Sequence, residues 1–545
     1  MRFSQGIFAC AAALLLMHPV LVAAKNAPAP LPRVVNDGDH HALIVDGAPF
    51  VILGAQVNNS SNYPAPLESV WPVLERIHAN TVSVPIGWEQ VEPKEGHFDF
   101  TFLQHLLDEA RKHEKRVVLL WFATWKNTSP SYTPSWVKLD NSRFPRMKLP
   151  DGSDHYALSA HGMQTLKADR KAFVRLMAYL NQHDPQNTVI MVQVQNEAGS
   201  YRNPRDYSDA ANALFKQQIP AELAKSIGRS GTWTEAFDAQ APRAFNTWYV
   251  ARYINALAEA GKAEKALPMY VNAALSGPGE IKDLMGVASG GPQGDMLDIW
   301  KVAAPAIDVA GPDIYDKPSW NLGVYIDQFK RPDNPLFVPE VGNADQYARF
   351  FWQIMGSGAI GFVPFGLDNT GYQNHPLGAE KLDEATLSAF ALPYETVSGV
   401  MREWAAIAAK YPTWGIARPD DGSTRDHVMG HWKIHVAFGQ WQFGPEVDQS
   451  KVESADTPEW AERKIGGAMV AQIGPDEFIV MGDHARVSIW PADDAPNAVM
   501  ISTEEGTFDN GQWVTGRVWN GDQTDYGLNL VDQVQVLRVR MGYYH

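Results

Sequence analysis

Of 545 residues only one is a cysteine, Cys10, and it lies in the apolar N-terminal stretch. The rest of the chain has neither a disulfide framework nor a thiol nucleophile, so its stability has to come from a large hydrophobic core. Positive charge is also scarce: 46 Lys and Arg stand against 62 Asp and Glu, a formal net charge of −16. That balance argues against nucleic acid and against an anionic membrane as the main partner. Beyond the N-terminus no apolar run is long enough to span a bilayer. No Gly-rich phosphate loop and no G-x-S-x-G serine elbow occurs. Asp154, His155 and His161 have a spacing that fits no compact ligand motif, so neither a metal nor a cofactor is expected.

What the chain does have in quantity is aromatic rings: 18 Trp, 18 Tyr and 23 Phe, most of them suited to filling a core and the remainder to stacking on the C–H faces of sugars. Its first residues follow the pattern of a secretory signal. Arg2 supplies the positive start, residues 7–22 the apolar stretch, and Val22-Ala23-Ala24 the small residues before Lys25. Residues 1–24 are therefore expected to be removed, leaving an exported chain, periplasmic or secreted, with no membrane segment.

From residue 36 to 411 short apolar runs alternate with longer amphipathic ones. Strands are expected at 50–56, 81–86, 116–121, 189–195, 268–272, 307–311, 336–340 and 360–365. Helical spacing falls between them at 67–78, 102–114, 166–183, 248–261 and 347–355, and again at 395–410. Eight strands alternating with helices predict an α/β fold, a (β/α)₈ TIM barrel. Past residue 411 the texture changes to short runs rich in Val, Ile and aromatics, at 431–438, 477–481, 485–490, 498–502, 516–519 and 534–539. Gly, Asp, Asn and Pro separate them, which predicts a C-terminal antiparallel β-sandwich over 412–545.

Two glutamates close apolar runs. Glu197 ends Val189 to Asn196 and Glu340 ends Leu336-Phe337-Val338-Pro339. In a barrel the C-terminal strand tips carry the chemistry, and the fourth and seventh strands face each other across the mouth. Two carboxylates so placed can cleave a glycosidic bond. Burial at an apolar mouth would raise the pKa of Glu197 as a general acid, and Asn196 beside it could bond a sugar hydroxyl. A nucleophilic Glu340 needs donors nearby, and Tyr315 on the sixth strand is placed to supply one. Gln56, Asn58, Trp88, Glu89, Trp125, Asn127, Phe365 and Asp368 stand at or just past strand ends and are expected to form a polar and aromatic rim. The long loop 123–162, with Trp125, Tyr132 and Trp136, reads as a pocket wall, and Glu92 and Glu95 as a solvated turn.

Gln193-Val194-Gln195-Asn196-Glu197-Ala198-Gly199-Ser200-Tyr201 is similar to the Q-V-E-N-E-Y-G-S-Y motif of glycoside hydrolase family 35. The run from Asn80 through Pro85, Trp88, Glu92-Pro93, Gly96 and Phe98-Asp99-Phe100 follows that family's second-strand pattern. The chain thus resembles the retaining (β/α)₈ β-galactosidases of that family. The resemblance implies that Glu197 is the acid/base and Glu340 the nucleophile, acting without a cofactor. It also implies exo-action on β-galactosides, including terminal galactose on plant cell-wall oligosaccharides. Departures exist: Gln195 replaces the family's Glu, Ala198 its Tyr, and Gln56-Val57-Asn58-Asn59 its His-Tyr element. The loop Trp88-Glu89-Gln90-Val91-Glu92-Pro93 is closer to family 42, also β-galactosidases. Two other readings remain open, another retaining β-glycosidase and a non-catalytic carbohydrate-binding barrel; retention of both glutamates weighs against the latter.

Overall fold

The computed structural model describes residues 29–38, 40–438, 463–493 and 497–545; the expected signal segment lies outside them. Among these residues no helix is long and apolar enough to cross a membrane. Eight parallel strands close into a barrel: Ile52–Gln56, Thr81–Gly87, Arg116–Lys126, Val189–Asn196, Met269–Ala274, Val309–Ile314, Val338–Val341 and Gly361–Pro364. The ring shuts where Gly361 and Phe362 of the eighth strand register with Ile52 and Leu53 of the first. Each strand overlaps the run expected from sequence. Their residues are buried almost throughout, as a parallel sheet with one face inside the barrel and the other under helices requires.

Helices cover the outer face. Thr101–Lys112 buries Leu103, Leu106, Leu107 and Ala110, the spacing of one helical face. Two expected helices are each broken in two. The stretch 67–78 resolves into Pro64–Leu67 and Trp71–Arg76, because Pro72 has no N–H to continue a helix and instead starts the second piece. The stretch 395–410 becomes the end of Glu384–Ser398 and then Met401–Ala408, parted at Gly399-Val400.

An antiparallel sheet of Arg33–Asp37, His40–Val45 and Ala48–Phe50 precedes the first barrel strand. Its Leu43, Val45 and Phe50 pack with Ile52, Val118, Ile190, Val309, Phe337 and Ile360, which lie towards the N-terminal ends of the barrel strands. This sheet plugs the barrel floor and leaves the opposite end for chemistry.

The C-terminal part is a sandwich of a six-stranded and a four-stranded antiparallel sheet. Trp432, Ile434 and Val487 of one sheet share a core with Val470, Phe478, Val480 and Leu537 of the other. Four of its strands were not expected. Gly467–Gly474 is rich in small residues, Leu528–Leu530 is three residues long, and Arg425–Met429 and Thr413–Ala417 lie at sheet edges with little apolar alternation. The sandwich docks on the helix Phe350–Gly356. A Cβ on Gly356 would lie 2.4 Å from the Gly415 backbone, so only glycine permits this approach. Trp352 Nε1 donates to Asp483 Oδ2 at 3.2 Å across the junction.

Phe50→Ala should open a cavity in the floor plug. We expect a loss of about 3–5 kcal/mol, read as a lower urea midpoint of the barrel transition.

Candidate active site

Strand alternation alone would send every second side chain of the fourth strand to the same face. At its end the backbone breaks that rule, with φ of 67° at Gln195 and 42° at Glu197. Gln195 turns outward to the helix Met163–His183, where its Nε2 donates to Asp169 Oδ2 at 2.7 Å. Asn196 and Glu197, consecutive in sequence, both serve the barrel mouth. Two non-glycine residues in the left-handed region cost of order 1–3 kcal/mol each, and such strain persists only where the surroundings over-determine it. Here they do. Asp169 also accepts from Trp121 Nε1 at 2.9 Å, Thr124 Oγ1 at 2.6 Å and Tyr253 OH at 3.2 Å, while Gln195 Oε1 accepts from the Trp125 N–H at 2.9 Å. Burial pushes Asp169 up to about 6 despite these donors.

Just beyond Glu197 the chain crosses the loop after the fifth strand. Ser200 and Ser289 exchange two backbone hydrogen bonds of 2.9 Å. Gly199, at φ 124°, passes so close that a Cβ would stand 2.0 Å from the Ser289 carbonyl oxygen.

Glu340, at the tip of the seventh strand, is buried and receives three donors. Gln56 Nε2 lies 2.9 Å and Asn196 Nδ2 3.2 Å from Oε1, and Tyr315 OH lies 2.8 Å from Oε2. The phenol of Tyr315 is held protonated by burial and by the charge of Glu340. Asp313, two residues before Tyr315 on the same strand, is the third carboxyl of the site. Oxygens of Glu197, Asp313 and Glu340 lie within 4.8 Å of one another. Burial first, then the charge of Glu340, pushes Glu197 up to about 7 against the pull of Lys126 and a hydrogen bond with Asp313. Asp313 is raised well above the usual carboxylate range by burial, then by Glu340 and Glu197.

These groups lie in a cavity of about 430 Å³ at the C-terminal mouth of the barrel, a volume ordinary for a small-molecule site. Of the residues expected in the rim, Asn127, Tyr315 and Phe365 line it alongside Glu197 and Glu340. Gln56 and Asn196 stand behind, on Glu340. The others lie outside the lining. Asn58 and Asp368 bind each other, through Nδ2 to Oδ1 at 2.7 Å and the Asn58 N–H to Oδ2 at 2.6 Å, tying together the loops after the first and eighth strands. Trp88 is fully buried against Trp136 and donates to Glu92 at 3.0 Å. Glu89 pairs with Lys138 at 2.8 Å. Trp125 packs edge-on against Tyr253. Tyr132 packs on Phe122 and Trp136 on Trp88, so of the stretch 123–162 expected as a wall it is Lys126 and Asn127, at its start, that reach the cavity. Glu95 is exposed, as a solvated turn implies, but Glu92 is buried and also accepts from the Gly96 N–H at 2.7 Å.

Sequence reading passed over Asp313, Lys126, Tyr201 and Tyr372, all of which line the cavity. The signal for Asp313 was available, because residues i and i+2 of a strand share a face and Tyr315 was already placed inward. The three carboxyls are near enough to suggest a cation, yet the donor set does not fit one. Gln56, Asn196 and Tyr315 aim hydrogens at Glu340, and Lys126 adds a positive charge to the same cavity.

Gln195→Glu should set a second buried acid against Asp169. A loss of about 1–3 kcal/mol is expected, read as a lower melting temperature that falls further as pH rises. Gly199→Ala should cost about 1–3 kcal/mol by overpacking and reduce turnover by displacing Glu197. Unchanged melting and kinetics in the latter would refute the close approach.

A glycoside hydrolase family 42 model, described as beta-galactosidase, matches residues 67–257, which include Glu197. The sequence motifs resemble family 35 most, whereas the family matched is 42. A second model, a domain of unknown function (DUF5597), matches residues 390–531. A search of curated proteins returns no match. Among solved structures, the chain is similar to a β-galactosidase from the psychrophilic Marinomonas ef1, at 14% identity and a TM-score of 0.47, covering 66% of this chain and 62% of that one. It is similar to a cold-adapted β-galactosidase from Rahnella sp. R3, at 15% identity and a TM-score of 0.47, covering 68% and 59%. A β-galactosidase from Bacillus circulans sp. alkalophilus matches at 14% identity and a TM-score of 0.45, covering 66% and 60%. The matched region thus spans less than two thirds of each of these proteins.

Proposed function

We propose that the chain is a glycoside hydrolase, a retaining and exo-acting β-galactosidase. The observation that carries the reaction class is the spacing of Glu197 and Glu340, whose oxygens approach within 4.8 Å. Retaining enzymes hold their carboxyls roughly 5–5.5 Å apart, and inverting ones leave roughly 6.5–9.5 Å for a water. The close approach of these oxygens supports the retaining geometry. Glu340 attacks the anomeric carbon as Glu197 gives its proton to the departing oxygen. A water then attacks the same carbon, passes a proton to Glu197 and frees Glu340.

The sugar rests on the family 42 match and the family 35 motifs. Exo-action is supported by a pocket bounded by Tyr201, Leu275, Tyr372 and Leu377. Terminal galactose on plant cell-wall oligosaccharides is the substrate class we favour, on the resemblance. Export is proposed on Arg2, the apolar residues 7–22 and Val22-Ala23-Ala24.

The test is hydrolysis of matched aryl β-galactoside, β-glucoside and β-mannoside, with product anomers followed by NMR. We expect the galactoside to be preferred and its configuration retained. Glu340→Gln should abolish turnover, and Glu197→Gln should lower kcat by about 10²–10⁴-fold on poor leaving groups. Turnover of a different glycoside would keep the mechanism and overturn the sugar; full activity in Glu340→Gln would overturn the mechanism. Because Glu197 must be protonated to act and its pKa lies at about 7, kcat/KM should fall as pH rises through that value.

A further inference from the structure

The third carboxyl of the site has no part in the two-step scheme above, yet it is bound to the acid/base on both sides. The Glu197 N–H donates to Asn272 Oδ1 at 3.0 Å, and Asn272 Nδ2 donates to Asp313 Oδ2 at 2.7 Å. The Asp313 carboxyl in turn lies against that of Glu197, with oxygens within 4.8 Å, and each shifts the other's pKa. A closed ring results, running from the Glu197 backbone through Asn272 and Asp313 to the Glu197 side chain. Its polarity is determined. A backbone N–H can only donate, so the Asn272 amide must turn its oxygen to Glu197 and its nitrogen to Asp313. Asp313 Oδ2 is thereby an acceptor. Asp313 Oδ1 is buried and meets no N–H or hydroxyl donor, and an ionised oxygen left so would carry the full cost of desolvation. A carboxyl–carboxyl contact needs a proton between its partners.

We propose that Asp313 is a positioning residue held in its neutral form, which donates a hydrogen bond from Oδ1 to Glu197 throughout the catalytic cycle. This rests on Glu197 being the acid/base of the proposed glycosidase. Glu197 carries the travelling proton on its other oxygen and delivers it to the leaving group, while Asp313 keeps its own. When Glu197 is a carboxylate, awaiting the proton from water, the Asp313 hydroxyl supports its charge without adding a second negative one. No proton is gained or lost by Asp313, so the overall reaction stays balanced. The groups facing Asp313 agree with neutrality. Glu197 and Glu340 would repel an ionised Asp313, and Tyr201, Tyr270 and Tyr315 are protonated phenols; Lys126 and the Asn272 amide favour charge, and burial with the two neighbouring acids outweighs them.

The variants Asp313→Asn and Asp313→Ala separate this role from a structural one. An asparagine keeps the ring, accepting from Asn272 through Oδ1 and donating to Glu197 through Nδ2. We expect Asp313→Asn to retain most of the wild-type kcat and to leave the basic limb of kcat/KM in place. Asp313→Ala removes the donor that eases ionisation of Glu197. Its basic limb should move to higher pH, with kcat lowered by up to about 10²-fold through misplacement of the acid. A basic limb that moves to lower pH in both variants would mean an ionised Asp313 and would overturn the proposal. Equal loss of kcat in both, with no displacement of the limb, would reduce Asp313 to a packing role and overturn it too. A readout independent of turnover is the infrared difference spectrum of full-length wild type minus Asp313→Asn, recorded at fixed pH below and above the titration of Glu197. A protonated-carboxyl band present in wild type, absent in Asp313→Asn and persisting above the titration of Glu197 is expected; its absence would refute neutrality. Wild-type protein inactive on every glycoside would sink the glycosidase reading, while the infrared result would still decide the state of Asp313.

Discussion

Three carboxyls gathered within 4.8 Å at the mouth of an apolar barrel repel one another, and much of the surrounding architecture answers to that repulsion. In a medium of low dielectric, like charges this close cannot all be present. The site resolves the conflict by treating the groups unequally. Glu340 is given three donors and Asp313 one, from Asn272, while the Glu197 carboxyl is left with burial and its acidic neighbours. Lys126, on the neighbouring third strand, adds a positive side chain that faces the cluster. The asymmetry is what the proposed division into a nucleophile and an acid requires.

Rigidity is needed to hold such a cluster, and it comes from outside the cavity. The floor is sealed by Leu43, Val45 and Phe50, so the barrel cannot relax by admitting water from below. The sandwich braces the helix that follows the seventh strand, through the Gly356–Gly415 contact and the Trp352–Asp483 hydrogen bond. Among the described residues none from the sandwich lines the catalytic cavity. Its visible contribution is to hold the helix behind Glu340 in place.

All eight barrel strands were legible in the sequence because each is a short apolar run bounded by polar residues, a pattern that burial on both faces imposes. Both glutamates were legible because they stand where those runs stop. The rim was far less so. Trp88, Trp125 and Glu89 also stand at strand ends, but a strand end points either into the mouth or back under a helix, and a bulge or a positive φ decides which. The third strand shifts register between Trp121 and Lys126, which buries Trp125 and brings Lys126 and Asn127 to the cavity. Nothing in the local letters announces such a shift. In the sandwich, strands at sheet edges or made of small residues carried too little alternation to be seen.

Gln195 stands where the resembled family has glutamate, and taken alone that difference suggests a weakened site. The structure gives it another meaning. Asp169, 26 positions earlier, accepts the amide of Gln195 at 2.7 Å, so the two form an acid–amide couple. Such a couple is chemically reversible: an acid at the strand and an amide on the helix would make the same bond with its direction inverted. The two positions are therefore physically coupled, and a change at one calls for a change at the other. Neither letter can be judged, or exchanged, without reading the other.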